Sequence, residues 1–396
     1  VESQGSSYDE LFSKYQQAAQ SGNLPAVAIL EDTTTQAMVD SGTVLPAQSC
    51  IDADHYDTSD LVQPGIDYYS VNGVFYPASI NMSSPLLYYN KNHFRRAGLD
   101  PDKPPTTLDE LRADAQKIKD AGAASTPLVM NLDSWYIETW LTGDGKPVVD
   151  NENGRGSGDT TATAFDNADT VAVFQWIKDM YDDGLLQAIP VVPGKFDHLL
   201  AMQAQNSSMT FETSTAATSI EAFLSGDQSI AASVGATSED TSGLDIDAAK
   251  YPGIHQPGRV QIGGGAWYMT NTTSPEVQAA TWDFMKWWNS PATQIQWYTQ
   301  GSYIPFSQTA ARSSEVQQFS QSDPAGRWLA LSYQQLTEGV DPSWPGPLIG
   351  PYHDVRTGID NALDGVTLQH KDPQDALTQA ASAGDKAIDD YNQGNF

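Results

Sequence analysis

The chain has 396 residues, of which 39% are hydrophobic, with ten tryptophans and seventeen tyrosines; this is a globular composition with enough length for two units that each bury a core. Fifty acidic residues against twenty Lys and Arg give a formal charge of −30 and a pI near 4.2, which excludes nucleic acid as a partner and opposes an anionic membrane surface. The acidity reads as a solubility device, an adaptation to salt, or acidic patches that dock on a transporter.

In chain order, the opening VESQG looks like the tail of a strand. Residues 8–21 form an amphipathic pattern with Leu11, Phe12 and Tyr15 on one face. The turn Gly22-Asn23-Leu24-Pro25 then leads into an apolar strand over 26–30. That strand ends in Glu31 and Asp32, and ligands of open α/β sheets sit beyond such carboxyl ends, so Asp32 is a candidate contact. Cys50 is the single cysteine and forms no internal disulfide; it reads as a partly buried thiol, or as one whose partner lies outside this sequence. Residues 85–89 (PLLYY) are of strand length, and 92–98 are a short helix closed by Gly98. Pro101, Pro104 and Pro105 stiffen the next turn, and Thr107 with Glu110 is a capping box that opens a helix over 108–121. Strand, short helix, rigid turn and capped helix predict a layered α/β lobe.

Trp135 and Trp140, five apart in NLDSWYIETW, do not share a helical face, so one belongs to a core and the other faces a cleft. Residues 148–163 are a polar, glycine-rich loop. Its DNENG segment faintly resembles a calcium loop, but the glycine comes one position early and Thr161 stands where a bidentate Glu is needed. Trp176, Trp282, Trp287 and Trp288 lie on helical patterns and are expected to pack. Residues 209–214 (MTFETS) form a strand-to-helix junction whose hydroxyls can cap a helix and expose backbone N–H groups. A second acidic loop is expected over 236–250. Gly263-Gly264-Gly265 leads into a Trp-Tyr-Met strand rather than a helix, so it is not a dinucleotide fingerprint. Arg356, in GPYHDVR, has the planar guanidinium that binds a phosphate bidentately; its other reading is a partner for one of the many acids. The six histidines show no metal-ligand spacing, and there is no nucleophile elbow or phosphate loop. No internal repeat is found, and no run of eighteen apolar residues predicts a membrane span.

Residues 83–111, SSPLLYYNKNHFRRAGLDPDKPPTTLDEL, resemble the LYYNK…F…AGLDP…PPTT…EL signature of the extracellular solute-binding proteins that feed ABC importers. Residues 263–269, GGGAWYM, with the helical pattern 276–288 resemble that family's GG-x-W-x-M strand and following helix, and GSYIP at 301–305 resembles its G-Y-x-P turn. The match runs in order along nearly the whole chain. It implies an α/β, two-lobed periplasmic-binding-protein fold of type II, similar to the maltose-binding proteins, with the ligand cleft between lobes joined by hinge crossovers near Ser84, Ile262 and Pro305. The expected N-terminal lobe is 1–84 with 263–304, and the C-terminal lobe is 85–262 with 305–396. The resemblance further implies a transport component, not an enzyme, without a cofactor or metal. It would capture a small polar ligand by lobe closure and hand it to ABC permease transmembrane subunits, on the extracellular side of the plasma membrane through a lipid anchor, or in the periplasm. Relatives carry a first strand and helix before this point; a version without that strand would leave an open sheet edge, with poor solubility or pairing to another chain.

The nearest branch binds glycerol 3-phosphate and glycerophosphodiesters. Carried over position by position, the resemblance points to Tyr8, Asp32, Ser83, Trp135, Thr213, Gly264, Tyr303 and Arg356 as ligand-binding residues. In that branch Trp135 stacks on the ligand and Arg356 meets the phosphate. Asp32 for Glu and Thr213 for Ser are departures, and Glu212 stands where relatives have a small residue. Its carboxylate would repel a phosphate but favour sugar hydroxyls or a choline cation, so an oligosaccharide is the alternative ligand. A secreted glycoside hydrolase is the distant alternative, which would need a carboxylate pair in the cleft.

Overall fold

The computed structural model describes residues 7–192, 196–224, 243–256, 259–340 and 345–394. Its first helix, α1 (Tyr8–Ser21), begins where the Ser7 hydroxyl accepts the Glu10 N–H and ends on Gly22 at φ 69°, a conformation glycine adopts without a Cβ penalty. Two sheets are built from β1 (Val27–Glu31), β2 (Val44–Leu45), β3 (Ser79–Ser83), β4 (Pro85–Asn90), β5 (Leu128–Asn131), β6 (Leu186–Ile189), β7 (Met209–Thr213), β8 (Ile246–Lys250) and β9 (Gly263–Thr270).

In the first sheet the long strand β9 is central and antiparallel to its partners, with β1 on one side and β3 and β2 on the other. Leu30 pairs with Ala266, and Met82 with Gly264. Among the described residues β1 has a strand partner along one edge only. Beside it runs a trough of about 980 Å³ lined by Leu11, Leu24, Val27, Ile29, Trp267 and Phe284 among others.

The second sheet has the order β8-β4-β7-β5-β6, with β4 antiparallel to β8 and β7, and β5 parallel to β7 and β6. The acidic loop expected over 236–250 is thereby corrected at its end, where 246–250 form β8. The segment IDAAK lacks the β-branched and aromatic run that marks a strand. Its pairing comes from the apolar β4 beside it, which buries Ala248 and Ala249.

Helices α2 (Leu108–Asp120), α3 (Ser134–Gly143) and α4 (Ala168–Asp182) follow β4, β5 and the 148–163 loop. The Thr107 hydroxyl caps α2 as expected, accepting from the Glu110 N–H at 3.3 Å, but the Glu110 carboxylate reaches back to the N–H and hydroxyl of Thr106. Helices α5 (Pro275–Trp288) and α6 (Pro291–Gly301) belong to the first lobe. After them, α7 (Pro324–Glu338) packs on β4 and β8, while α8 (Tyr352–Thr367) and α9 (Pro373–Asn392) pair with each other and pack on α4. No helix among the described residues is long and apolar enough to cross a membrane.

The fold is thus a two-lobed α/β structure. The chain passes between sheets at Ser84, where the hydroxyl meets those of Ser332 and the Gln335 amide, and again between β8 and β9. Beyond β9, Ile304 donates to the Met82 carbonyl, Val62 to that of Phe306, and Ser307 and Thr309 to the Asp60 carboxylate. These bonds hold 304–309 on the first lobe, and we propose that the lobe boundary lies beyond Thr309 rather than at 304/305.

Trp140 is the core tryptophan of its pair, stacked on Tyr251 and donating to the Pro252 carbonyl at 2.8 Å. Trp282 is buried and donates to Asp54, but Trp287 is 56% exposed, contrary to the packing expected of it. Five residues along a helix turn it some way round from Trp282, out of the core-facing stripe. The 148–163 loop holds a left-handed turn at Asn151, Glu152 and Asn153 (φ 52°, 56° and 61°), fixed by the Asn153 side-chain oxygen accepting from Val148 and Val149. Among the described residues no three His, Cys, Asp or Glu side chains are placed to hold a metal ion, and Cys50 is a free, half-buried thiol.

Candidate ligand cleft

The sheets meet where the end of β1, the start of β9 and the N-terminus of α3 converge. Gly263 is extended, and a Cβ there would lie 2.4 Å from Trp135 Cζ2, so the indole of the second lobe rests directly on the backbone of the first. Two residues on, a Cβ at Gly265 would lie 2.7 Å from the Tyr8 hydroxyl. Positions i and i+2 share a strand face, so Trp135 and Tyr8 cover one face of β9. Gly264 between them has φ 119°, and a Cβ would strike the Asn81 carbonyl at 2.0 Å. The Tyr8 hydroxyl meets that of Tyr303 at 3.2 Å, and Tyr303 stacks on Trp297 at 5.4 Å between ring centres. Burial, then the neighbouring Tyr303 and acids, push the Tyr8 phenol far above its ordinary range, so it stays protonated. Ser83 is buried at the end of β3, paired with Gly263. The Trp135 indole N–H, the Asn81 side-chain N–H₂ and the Thr139 hydroxyl are buried without a hydrogen-bond partner.

Arg356, on the first turns of α8, is held by Glu138 of α3. Its Nε lies 3.1 and 3.0 Å from the two carboxylate oxygens and its Nη2 lies 2.8 Å from Oε2. Glu138 is fully buried and also accepts from the Tyr352 hydroxyl at 3.0 Å and the Gln261 amide at 3.3 Å. The Tyr352 ring lies 4.9 Å from the guanidinium carbon, and Nη1 faces Glu31 Oε1 at 3.7 Å. Glu138, the Tyr352 ring and Glu31 therefore surround the guanidinium, leaving Nη1 as its least engaged nitrogen.

Three further carboxyls surround this pair. Asp32 accepts from the Tyr68 hydroxyl at 2.5 Å, and burial, opposed by Arg356, lifts its pKa to about 7. Asp133 caps α3 through the Trp135 N–H at 2.8 Å, and burial raises it to about 6. Asp360 accepts the Ser134 N–H at 2.6 Å, and burial followed by the charge of Asp133 raises it to about 7. The α3 N-terminus thus holds two carboxyls, a placement its dipole favours.

The expected residues Tyr8, Asp32, Ser83, Trp135, Gly264, Tyr303 and Arg356 all fall around this junction. Glu212 and Thr213 end β7, where Thr213 pairs with Pro85 and Ser214 bonds the crossover residue Ser84: Glu212 Oε2 lies 2.5 Å from His198 Nε2, Oε1 accepts the Thr213 N–H, and the Thr213 hydroxyl caps the turn at Ser214–Ala216. The Glu212 side chain is thereby committed to His198. Sequence reasoning missed Glu138, Asp133, Asp360, Tyr68, Tyr352 and Gln261. Glu138 had a signal, since a lone acid inside SWYIETWL must be buried and therefore needs a charged partner.

Residues 1–325 match the family of bacterial extracellular solute-binding proteins. The sn-glycerol-3-phosphate-binding periplasmic protein UgpB of Yersinia enterocolitica is 26% identical over 396 residues, covering 96% of this chain and 82% of that protein. Its Escherichia coli namesake is 23% identical over 394 residues, covering 96% and 83%. Among solved structures, Mycobacterium tuberculosis UgpB in complex with glycerophosphocholine aligns with TM-score 0.74 at 19% identity, covering 98% of this chain and 90% of that one. The cyclic α-maltosyl-1,6-maltose-binding protein of Arthrobacter globiformis aligns with TM-score 0.73 at 20% identity, covering 96% and 89%. These two likenesses show the shared fold. The chain therefore belongs to the bacterial extracellular solute-binding proteins, as a binding component of an ABC importer and not an enzyme.

Proposed function

We propose that the protein captures a glycerophosphodiester or glycerol 3-phosphate between its lobes and presents it to the transmembrane subunits of an ABC permease. The observation that carries this reading is the convergence at the start of β9 of Arg356, whose Nη1 faces Glu31 opposite Gly265, with the Trp135 indole against Gly263 and the Tyr8–Tyr303 hydroxyl pair against Gly265, in a chain whose relatives are named for glycerol 3-phosphate binding. In this reading Arg356 would meet a phosphate oxygen through Nη1, Trp135 would offer its ring and unbonded N–H to the glycerol, and Asp32 would accept from a hydroxyl. Lobes that close on this ligand convert occupancy into shape, which is what a permease reads; the ligand shifts the population only through its tighter binding to the closed form. The place of action is the outer side of the cytoplasmic membrane, in the periplasm or at a lipid anchor.

A second reading, an oligosaccharide, is favoured by the excess of carboxyls over guanidinium around Arg356, since carboxylates accept hydroxyl hydrogen bonds. Calorimetric titration with glycerol 3-phosphate, glycerophosphocholine, maltose and trehalose separates them. Phosphate-ligand binding that is lost in Arg356→Ala and weakened in Trp135→Ala is the expected result. Binding of a sugar alone would assign Arg356 to structure, and affinity unchanged in both variants would move the site elsewhere.

A further inference from the structure

The charge around Arg356 is out of balance in a way that bears on which phosphate the cleft admits. One guanidinium faces Glu138 of α3 directly and Glu31 of β1 at 3.7 Å. Asp32 after β1, Asp133 before α3 and Asp360 on α8 add their fields to it. Two phenols also pack there, Tyr352 of α8 and Tyr68 of the helix Gln63–Tyr68, both held protonated by burial, and behind Tyr68 a second buried guanidinium, Arg155, lies 5.4 Å from that ring and gives its nitrogens to the Gly346 and Tyr68 carbonyls. Glu138 is the member that cancels the positive charge, because it is fully buried and takes three of the close guanidinium contacts.

Resting on the phosphate reading above, we infer that Glu138 is a specificity-determining residue: held against Arg356 as a neutral pair, it makes the cleft accept a singly charged phosphodiester and disfavour a doubly charged phosphomonoester. An unpaired arginine would reward each additional negative charge. A neutral pair offers hydrogen bonds without net attraction, and the second charge of a monoester then meets Glu31 and Asp32 uncompensated in a site of low effective dielectric. Discrimination of this kind works by placing a repulsive element against the wrong ligand.

The test is a set of calorimetric titrations of the full chain with glycerol 3-phosphate, with glycerophosphoglycerol, whose diester carries one charge and no cation, and with maltose as the uncharged control. Wild type is expected to bind the diester about tenfold or more tightly than the monoester at pH 7.5. That preference should shrink at pH 5.5, because a phosphomonoester takes up its second proton near pH 6. Protonation of Asp32, Asp133 and Asp360 over the same window relieves the dianion more than the monoanion, so it shrinks the preference in the same direction. In Glu138→Gln, which keeps an acceptor and removes the charge, the preference at pH 7.5 should close. A wild type that binds the monoester as tightly as the diester at pH 7.5 would overturn the inference and leave the phosphate reading standing. A wild type that binds maltose and neither phosphate would overturn the phosphate reading and the inference together. Should Glu138→Gln fail to fold, the wild-type preference at pH 7.5 decides, since equal affinity for the two phosphates overturns the inference.

Discussion

Gly263→Ala probes the cleft without removing any side chain. The new Cβ would lie 2.4 Å from Trp135 Cζ2, 2.8 Å from Cε2 and 3.1 Å from Nε1, where carbon contacts are ordinarily about 3.5–4.0 Å. Trp135 must then move by about an ångström, or the two lobes must part. Gly263 is extended, so alanine meets no backbone strain of its own and even gains about 0.4–1 kcal/mol from the less mobile unfolded chain. Overpacking costs about 1–3 kcal/mol, and here it falls on the contact between lobes, so ligand affinity should drop about 5- to 150-fold. Part of that loss follows from a smaller population of the closed form, which scales the apparent dissociation constant directly. Calorimetry with the ligand that binds wild type, paired with thermal unfolding, measures both sides. Affinity within twofold of wild type would refute the reasoning. An unchanged affinity with a lower melting temperature would show that the indole supports the fold rather than the ligand.

Arg356→Met leaves Glu138 charged and buried, which should cost about 3–5 kcal/mol in denaturant unfolding, while the double variant with Glu138→Gln should recover most of it; additive costs in the double-mutant cycle would reject the pair. The raised carboxyls make stability depend on pH. Asp32 and Asp360 near 7 and Asp133 near 6 lie above their unfolded value of about 3.9, so the native state holds extra protons between about pH 4 and 7. Their contribution is complete below that window and is lost as pH rises through it, so the melting temperature should be higher at pH 5 than at pH 8, with a smaller difference in Asp32→Asn; equal values at both pH in wild type would contradict the assignment.

Local chemistry decided much of this protein, and the sequence displays local chemistry directly. The α1 amphipathic stripe, the Thr107 cap, the PLLYY strand and the closing Gly98 each depend on residues within one or two turns, and each appears where its pattern lies. The family resemblance likewise rests on contiguous motifs, and it singled out Arg356, Trp135, Tyr8 and Tyr303 as candidates without any knowledge of their partners. What the sequence does not contain is pairing across the chain. The strand at 246–250 exists because β4 lies beside it, and Trp287 faces water because α5 turns its other side to the sheet. Residues 304–309 lie against β3 and Asp60 because the Met82 carbonyl and the Asp60 carboxylate bond them there. The chemistry of the cleft is decided in the same way. Arg356 and Glu138 are 218 positions apart, and only the packing of α8 on α3 makes them a pair. A sequence lists charges one at a time, whereas the cost of burying a charge depends on its neighbours in space. Of the two readings open for this guanidinium, a phosphate ligand or a partner for an acid, the sequence could name neither the acid nor its burial, and the tertiary structure alone supplies Glu138.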